Sequence, residues 1–291
     1  MKTQPRKRVG AIALYVTVGR SHALDVTGAV ARIAREMGVG VALCERDAAS
    51  DLAIDPTCAL DEAELLVSIG GDGTLLRAAR IAHPRNLPIL GINTGRLGFL
   101  TELDADERGF AHLRTVLGGN FAVDERIALE ARVNGGATTH FALNDVVVRR
   151  GAQARMAPFG LALDGETIAH LPSDGVIVAT PTGSTAYFLS AGGPIVHPTV
   201  DALGVAALLP HTLFARPLLV PSDAEIEITC DGEITRANLE TDGVIGDDLR
   251  AGDRVTVRKD PRPVRFARIS PRAFFARLEE KLQWGVPIKA P

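Results

Sequence analysis

The first third of the chain alternates short apolar runs with longer amphipathic segments, and this alternation constrains the fold more than any other feature. Apolar runs typical of buried strands lie at Val9–Val16, Val39–Cys44, Leu65–Ile69 and Leu87–Ile92. Helical spacing of apolar residues predicts helices at Ala23–Met37, Thr74–His83 and Asp106–Leu117. Because strands that alternate with helices usually form parallel sheets, we predict an α/β domain with helices on the faces of a mostly parallel sheet.

After Phe121 the pattern changes to short strand-like runs with little helical signal. These runs are Ile127–Val133, Thr138–Val148, Phe159–Leu163, Gly175–Thr180, Ala224–Thr229 and Asp253–Lys259. Hairpin turns are predicted at Asn134-Gly135, Asp164-Gly165 and Asp231-Gly232. We therefore expect an α/β domain at 1–125, a mainly antiparallel β domain at 126–265, and a C-terminal segment at 266–291 that returns to the first domain. An amphipathic helix is predicted in this last segment at Pro271–Gln283.

Composition excludes several classes of function. The length of 291 residues suits two ordinary domains, and a net charge of −3 gives no broad basic surface for nucleic acid. No apolar stretch is long enough to span a membrane. The basic residues from Lys2 to Arg8 mimic a signal peptide, but the helical segment that follows favours a buried first strand. Cys44, Cys58 and Cys230 lie far apart, which predicts free thiols in a reducing compartment, the cytoplasm.

The stretch LVSIGGDGTLL at 66–76 places one carboxylate, Asp72, between glycines at the end of a predicted buried strand. Ligands of parallel sheets bind beyond the carboxyl ends of the strands. Gly70, Gly71 and Gly73 let a phosphate approach the backbone, and the N–H groups that open the next helix favour an anion. Because a carboxylate repels phosphate, Asp72 would instead accept the proton of an attacking hydroxyl or hold a metal that neutralises the phosphates.

A structural alternative for Asp72 is a Gly-Asp turn in which its side chain caps the helix. The stretch is not a Walker A loop, since no Lys-Ser or Lys-Thr pair follows, and it is not the GxGxxG dinucleotide fingerprint.

Three later stretches also combine polar residues with strand ends. Asn144-Asp145 interrupts an apolar run, Asp174 precedes a strand, and TPTGSTAYFLSAGGP at 180–194 crowds hydroxyls and glycines around a helix start. Each has a structural alternative: a bulge at Asn144-Asp145, a turn at Asp174 and an N-cap at Ser184. The four stretches together, in this order, favour a binding site.

Six blocks of sequence follow one another along nearly the whole chain. They read GGDGTLL at 70–76, GINTGRLGFLTEL at 91–103, NDVVV at 144–148, SDGVIVATPTGSTAYFLSAGGPIVHP at 173–198, HTLFARPLLV at 211–220 and LEEKLQWG at 278–285. In this order the blocks resemble the NAD kinases. The resemblance implies an α/β N-terminal domain with a parallel sheet and a mainly antiparallel β-sandwich C-terminal domain. It also implies transfer of a phosphoryl group to the 2′-hydroxyl of the adenosine ribose of NAD, giving NADP.

The same resemblance implies the substrates, the metal and the assembly. The donor would be ATP or another nucleoside triphosphate, or inorganic polyphosphate in some members. A divalent metal, Mg²⁺, would be carried by the donor phosphates, and no metal ligands in the chain are expected. Relatives assemble as dimers or tetramers, so a homodimer or homotetramer is expected, with a site built partly from a second subunit.

The site residues that the resemblance implies fall into groups. Asp72 would be the proton acceptor, with Gly73 beside it at the nucleotide. Asn144 and Asp145 would bind ribose hydroxyls of NAD, and Asp174 would contact the nicotinamide side. Residues that would shape the pocket for the bases are Thr185, Ala186, Tyr187 and Ser190.

Two basic residues are weaker candidates. Arg77, one turn into the helix after Gly73, would meet a phosphate; its alternative is a solvated helix face. Arg155 falls where relatives often carry a basic residue.

The chain departs from the family pattern at three positions. Asp145 stands where many relatives have Glu, and one methylene less shortens its reach, which leaves both a direct and an indirect contact with the ribose open. Pro172 stands where many relatives have Arg, which removes a basis for inferring discrimination between NAD and NADH. Val244 lies in a loop where some relatives offer NAD a polar side chain, which valine cannot do.

Two other functions compete with the NAD kinase interpretation. A lipid or sugar kinase would share only the glycine-flanked acid, and the block at 173–198 argues against it. A non-catalytic NAD(H) sensor would bind without turnover, which leaves Asp72 unexplained. The scattered histidines and Cys230 are expected to be structural, and Tyr187 has core packing as its alternative.

Overall fold

A computed structural model describes residues 7–17, 21–44, 54–95, 98–151, 157–212, 215–232, 236–269 and 274–285. Within these ranges, one compact unit comprises the residues up to Glu125 together with those from Val264 onward. The other unit comprises Arg126–Pro263. Arg155 lies outside the described residues.

The described strands follow the chain in two groups, with a last strand near the C-terminus. The first group is β1 (Ala11–Val16), β2 (Gly40–Leu43), β3 (Leu65–Ile69), β4 (Ile89–Asn93), β5 (Leu103–Asp104) and β6 (Ala122–Arg126). The second group begins with β7 (Leu129–Val133), β8 (His140–Ala142), β9 (Asp145–Arg150), β10 (Ala157–Leu163), β11 (Glu166–Ser173) and β12 (Gly175–Ala179). It continues with β13 (Ala202–Leu208), β14 (Leu218–Pro221), β15 (Ile226–Cys230), β16 (Ala237–Thr241), β17 (Val244–Leu249) and β18 (Arg254–Lys259), and β19 (Val264–Arg268) follows.

The described helices lie mostly in the first unit. They are α1 (Ser21–Glu36), α2 (Asp72–Ala82), α3 (Glu107–Leu117), α4 (Tyr187–Ser190) and α5 (Phe274–Leu282). Single turns of 3₁₀ helix lie at Leu60–Glu62, His83–Arg85 and Gly183–Thr185. No helix in the described ranges is both long enough and apolar enough to cross a membrane.

The first unit is built on a seven-stranded sheet with the order β2-β1-β3-β4-β19-β6, in which β5 pairs with β4. The pairs of β1 with β2, β1 with β3, β3 with β4, β4 with β5 and β4 with β19 are parallel. Strands β1, β3 and β4 are buried along their whole length, as expected for a parallel sheet covered on both faces. These findings confirm the predicted α/β domain.

Helical spacing of apolar residues explains how the helices pack against this sheet. Helix α1 buries Val26, Val30 and Ile33, which lie on one face of the helix and join the core formed with β1 and β3. Helix α3 buries Leu113 and Leu117 in the same core. The predicted helices at these positions are confirmed, with their ends moved by one or two residues.

A side-chain cap begins α3. Asp106 is the N-cap, and its carboxylate accepts a hydrogen bond from the backbone N–H of Gly109 at 2.7 Å. We expect Asp106→Ala to lower the free energy of unfolding by about 1 kcal/mol, because a helix donor loses its partner. Urea unfolding measures the change. The control is Arg108→Ala on the exposed side of the same helix, for which a change above about 0.5 kcal/mol is not expected. Equal losses in the two variants would contradict the role of the cap.

The second unit contains two six-stranded sheets, and the strand pairs seen in the described ranges of both sheets are antiparallel. Their strand orders are β11-β10-β15-β18-β7-β8 and β14-β13-β12-β9-β16-β17. One buried cluster joins Phe159 and Ile228 of the first of these sheets to Val146 and Val178 of the second, so the sheets pack face to face. This arrangement confirms the expected antiparallel β-sandwich.

The outer face of the second sheet carries a smaller core. Because side chains alternate along a strand, Val147 and Ile177 face away from the sandwich interior and pack against Phe188 of α4. A Cβ on Gly193 would lie 2.2 Å from the Phe188 ring, and one on Gly204 would lie 2.4 Å from it. These two glycines let the segment around α4 sit closely on the sheet.

The turns bear out two of the three hairpin predictions. Asn134-Gly135 and Asp164-Gly165 have positive φ at both residues and join antiparallel strands, as predicted. The prediction at Asp231-Gly232 is wrong, because β15 before it and β16 after it belong to different sheets.

Other corrections concern single elements. The predicted strand Thr138–Val148 is two strands in different sheets, β8 and β9. Two large apolar side chains of the C-terminal helix α5 are not buried: Phe275 is 61% exposed and Leu282 is 38% exposed. Arg277 and Leu278 are buried instead.

Candidate functional site

Asp72 lies at the carboxyl end of β3 and is the first residue of α2. The N-cap is Gly71, so the alternative in which Asp72 caps the helix is wrong. The two carboxylate oxygens of Asp72 instead accept the backbone N–H groups of Phe99 at 2.7 Å and Leu100 at 3.1 Å. Each oxygen keeps a further lone pair, so the carboxylate is oriented but not saturated.

Two glycines are required by close approaches around Asp72. A Cβ on Gly98 would lie 1.8 Å from Oδ1 of Asp72, so a larger residue would displace the carboxylate. Gly70 has φ +150°, and a Cβ there would lie 2.4 Å from Oγ1 of Thr74. Gly98 therefore lets the loop after β4 approach the carboxylate of Asp72, whereas Gly70 lets the end of β3 pack against Thr74 in the first turn of α2.

A cavity of about 180 Å³ lies at the same strand end. Its lining comprises Thr17, Ala23, Ile69, Gly70, Gly71, Gly73, Thr74, Arg77 and Thr94. No Cβ added to Gly73 would meet an atom within 4 Å, which leaves the backbone of the loop open to a ligand. The described residues of the lining include no acidic side chain, so the cavity suits an anion.

Arg77 lines this cavity, although its side chain is exposed to solvent. Its guanidinium donates to the hydroxyl of Thr17 at 2.9 Å, and that hydroxyl lies 3.1 Å from the hydroxyl of Thr74. The cavity therefore combines a cation, two hydroxyls and the N-terminal N–H groups of α2, the groups with which proteins bind phosphate.

Asn144 and Asp145 lie where the chain passes from one sheet of the sandwich to the other. The carboxylate of Asp242 accepts the backbone N–H groups of Leu143, Asn144 and Asp145 at 3.0, 2.7 and 3.3 Å. These N–H groups are therefore not available to a neighbouring strand, which explains the break between β8 and β9. The alternative of a simple bulge at Asn144-Asp145 is wrong, because β8 and β9 belong to different sheets.

The turn after β12 packs against Asn144. The backbone carbonyl of Asn144 accepts the N–H of Thr180 at 2.8 Å, and the Thr180 hydroxyl donates to the carbonyl of Leu143 at 2.7 Å. A Cβ on Gly183 would lie 2.1 Å from the carbonyl oxygen of Asn144. The structure thus brings together two stretches that the sequence singled out separately.

Oδ1 of Asn144 and the side chain of Asp145 are both buried at this junction. Oδ1 of Asn144 is buried and has no hydrogen-bond partner among the described residues, which is rare for a buried acceptor. Asp145 is only 5% exposed. Burial, with the nearby carboxylates of Asp242 and Glu240, raises the pKa of Asp145 from its ordinary value of 3.8 to about 7.

The predicted site residues in the segment 183–190 differ in their exposure to solvent. Ser184 is buried and bonds to the carbonyl of Pro181 and to the backbone of Val196, so it is not an N-cap. Thr185 and Ala186 are half-buried, and Ser190 is exposed. Tyr187 is 41% exposed, so the alternative of core packing for its ring is wrong.

Asp174 lies at the opposite end of β12 from Thr180, about 20 Å away at the usual rise per residue of a strand. Its carboxylate forms an ion pair with Arg150, with Nε to Oδ1 at 2.7 Å. The structure therefore does not bring Asp174 together with Asn144 within one chain. Pro172 lies in β11, and Val244 is exposed at the start of β17.

The remaining candidates for chemistry have structural partners. His140 pairs with Asp247, and His170 pairs with Asp231. Cys230 is fully buried, and burial raises the pKa of its thiol to about 12, so it packs and is not a nucleophile. No group of three or more His, Cys, Asp or Glu residues in the described ranges is arranged to hold a metal ion.

Fold and site together define a class of enzyme. A parallel sheet with a fixed carboxylate and a glycine-lined anion cavity at one strand end defines a phosphotransferase. Comparison with known families identifies the particular one. The family sequence model described as ATP-NAD kinase N-terminal domain matches residues 33–121. The family sequence model described as ATP-NAD kinase C-terminal domain matches residues 143–269. The chain belongs to the NAD kinase family.

Individual relatives agree with this assignment. The NAD kinase of Aromatoleum aromaticum is 40% identical over 287 residues, which cover 94% of this chain and 95% of the relative. That of Heliobacterium modesticaldum is 44% identical over 229 residues, covering 78% and 81%. Among solved structures, an NAD kinase from Archaeoglobus fulgidus in complex with ATP is 26% identical, with a TM-score of 0.73, covering 94% and 98%. Yeast NADH kinase complexed with NADH shows the same fold, with 24% identity, a TM-score of 0.87, and coverage of 98% and 91%.

The family assignment confirms the resemblance seen in the sequence. The chain phosphorylates NAD to NADP and is a phosphotransferase with an alcohol group as acceptor. The alternative of a lipid or sugar kinase is therefore wrong.

Sequence reasoning missed residues that hold the site in place. Asp242 was passed over, although Asp242-Gly243 has the composition of a tight hairpin turn and both residues have positive φ. Gly98, Phe99 and Leu100 lie in the block GINTGRLGFLTEL at 91–103. Their contacts with Asp72 could not be predicted, because any residue can supply a backbone N–H group.

Proposed function

We propose that this chain transfers the terminal phosphoryl group of ATP to the 2′-hydroxyl of NAD, with Asp72 as the proton acceptor. The hydroxyl oxygen forms a bond to phosphorus, the bond to the leaving phosphate breaks, and the hydroxyl proton passes to Asp72. The observation that carries this proposal is the Asp72 carboxylate, held by two backbone N–H groups at a strand end that also opens onto an anion cavity.

Positioning is the main contribution expected from Asp72. Phosphoryl transfer passes through a loose transition state, in which placement and charge neutralisation supply most of the acceleration. The hydroxyl loses its proton late, so an ordinary carboxylate suffices as the acceptor. The N–H groups of Phe99 and Leu100 restrict the carboxylate to one orientation and leave lone pairs for the incoming proton.

The donor phosphates fit the cavity beside α2. Gly73 supplies an open backbone there, and Arg77 supplies a positive charge. The Archaeoglobus fulgidus NAD kinase is in complex with ATP, which supports a nucleotide donor. Polyphosphate presents similar oxygens and is the second donor to test. Mg²⁺ carried by the donor would neutralise the charge of its phosphates.

Arg77→Met tests the donor side. We expect KM for ATP to rise about tenfold or more with a smaller change in kcat, because a hydrogen bond from a charged group to a phosphate is lost. Initial rates at varied ATP and saturating NAD measure the effect. Arg85→Met is the matched control, because Arg85 forms an exposed ion pair with Asp61 and should leave KM for ATP unchanged. A change in KM for NAD alone would contradict this role for Arg77.

On the acceptor side, Asn144 and Asp145 bind the ribose hydroxyls of NAD. Oδ1 of Asn144 is a buried acceptor that lacks a donor among the described residues, and a hydroxyl would supply one. Thr185, Ala186, Tyr187 and Ser190 shape the pocket for the bases, and the exposed ring of Tyr187 offers a surface for stacking. Arg155 is retained as a basic residue near the ligand on family resemblance alone.

We also propose that the chain works as a homodimer or homotetramer. Asp174 lies about 20 Å from Thr180 along β12, so its contact with the nicotinamide side would be made in a site shared with a second copy. Large apolar side chains at Leu209, Leu218 and Leu219 are exposed in the same unit, and Leu209 is 75% exposed. Analytical ultracentrifugation tests the assembly, and a monomer at assay concentrations would overturn it.

The cytoplasm is the proposed location. Cys44, Cys58 and Cys230 form no disulfide, as suits a reducing compartment. Fractionation of the source cells tests the location.

One assay tests the function as a whole. Purified protein is incubated with NAD and either MgATP or polyphosphate, and NADP is detected with an NADP-specific dehydrogenase. NADP formation with one donor identifies that donor. Folded protein that binds NAD but forms no NADP with either donor would overturn both proposed donors.

A further inference from the structure

A buried cluster of charged side chains lies behind the loop that holds Asp72. Glu102, Arg268 and Arg277 are each at most 6% exposed. Oε2 of Glu102 accepts from Arg268 at 2.9 Å and from Arg277 at 3.1 Å, and its Oε1 accepts the N–H of Ile269 at 3.2 Å. Because burial of charges costs desolvation energy, such a cluster contributes little net stability. Stability alone therefore does not explain why these three side chains are buried together.

The two arginines also bind the carbonyl groups of the loop after β4. Arg277 donates to the carbonyls of Phe99 and Thr101, the latter at 3.1 Å. Arg268 donates to the carbonyl of Leu100 at 2.9 Å. Three consecutive carbonyls of the loop are therefore held by guanidinium groups, which Glu102 in turn holds in place.

One peptide group connects Arg277 directly to Asp72. The carbonyl of Phe99 and the N–H of Leu100 belong to the same peptide group. Its oxygen accepts from Arg277, and its N–H donates to Oδ1 of Asp72 at 3.1 Å. A cation at the carbonyl polarises the peptide and makes the N–H a stronger donor. The guanidinium thus acts on both the position and the strength of the bond to the carboxylate.

We propose that Arg277, held by Glu102, is a positioning residue for phosphoryl transfer. It fixes the loop peptides whose N–H groups orient the Asp72 carboxylate, and so links helix α5 near the C-terminus to the reacting group. The burial of an arginine on α5, where Phe275 is left exposed, is explained by this role. The proposal rests on the proposed role of Asp72 as proton acceptor.

A double-mutant cycle tests the proposal. Arg277→Met keeps the length of the side chain and removes its donors. We expect it to lower kcat about 10- to 100-fold, with KM for NAD changed less than about threefold. In the Asp72→Asn background, the same substitution should change kcat by less than about threefold, because the oriented carboxylate is already absent. Arg114→Met is the matched control, since Arg114 forms an exposed ion pair with Glu36 and should leave kcat unchanged in both backgrounds.

The outcomes separate the two proposals. Equal losses from Arg277→Met in both backgrounds would show a general structural defect and overturn the positioning role. Near-normal turnover of Asp72→Asn alone would instead overturn the role of Asp72. If Arg277→Met does not fold, Arg277→Lys replaces it, because lysine keeps the charge beside Glu102 but cannot bind two carbonyls as a planar fork. The expected loss is then about three- to tenfold, again absent in the Asp72→Asn background.

Discussion

Asp72→Asn should lower kcat by about 10²–10⁴-fold, the usual contribution of a positioned general base. The amide has no basic oxygen to take the 2′-hydroxyl proton. It can also satisfy only one of the two N–H groups, from Phe99 and Leu100, that now bind the carboxylate, because its nitrogen is a donor. Rates at saturating NAD and MgATP measure the loss. NAD binding, followed by calorimetry, should remain within about threefold of the wild type, since the loss falls on the transition state.

The control for this variant is Asp61→Asn, the same chemical change at an exposed aspartate of the same unit. It should leave turnover unchanged, since exposed ion pairs contribute little. Thermal unfolding of Asp72→Asn shows whether the loop is disturbed. Near-normal turnover in a folded Asp72→Asn protein would refute the assignment, whereas loss of NAD binding along with turnover would point to a structural effect.

The fold could be predicted where local pattern decides it. The run Leu65–Ile69 is apolar except for Ser68, and the strand Gly175–Ala179 lies between turn residues, so both were predicted with nearly correct ends. Strands with mixed polarity were missed, as at Glu166–Ser173 and Val244–Leu249, whose side chains are largely exposed. Their place in a sheet depends on hydrogen bonds to β10 and β16, and a single sequence does not display such pairing.

Some residues of the candidate site could likewise be predicted from the sequence, and others could not. Glycines and short polar side chains at strand ends indicate a ligand site, and Asp72, Asn144 and Asp145 are predicted site residues on that basis. The groups that hold them are distant in sequence. Asp242 binds the backbone at 143–145, and Arg277 reaches the loop near Phe99. Such contacts depend on tertiary packing, so they cannot be predicted from composition or from the spacing of residues.

The free energy of unfolding of Asp145→Asn, relative to that of the wild type, should increase as pH rises. The folded-state pKa of Asp145, about 7, lies above its ordinary value of 3.8. Between these values the folded state binds more protons than the unfolded state, so wild-type stability falls as pH rises through this interval. The loss of wild-type stability that comes from ionising Asp145 is complete above its folded-state pKa, and it is at most on the order of 4 kcal/mol. Asparagine does not titrate. Urea unfolding of both proteins at about pH 5 and about pH 8 measures the difference, which should grow with pH. A constant difference would contradict the raised pKa.

The same titration should appear in NAD binding. A ribose hydroxyl that donates to Asp145 favours the ionised carboxylate, because the neutral form has lost part of its accepting capacity. Wild-type affinity for NAD should therefore increase as pH rises through about 7 and level off above it. In Asp145→Asn the affinity should be weaker, and this part of its pH dependence should be absent. Calorimetric titrations from about pH 6 to about pH 8 measure both curves. Wild-type affinity that falls over this range would mean that Asp145 binds the ligand as the neutral acid, with its proton donated to the ribose oxygen.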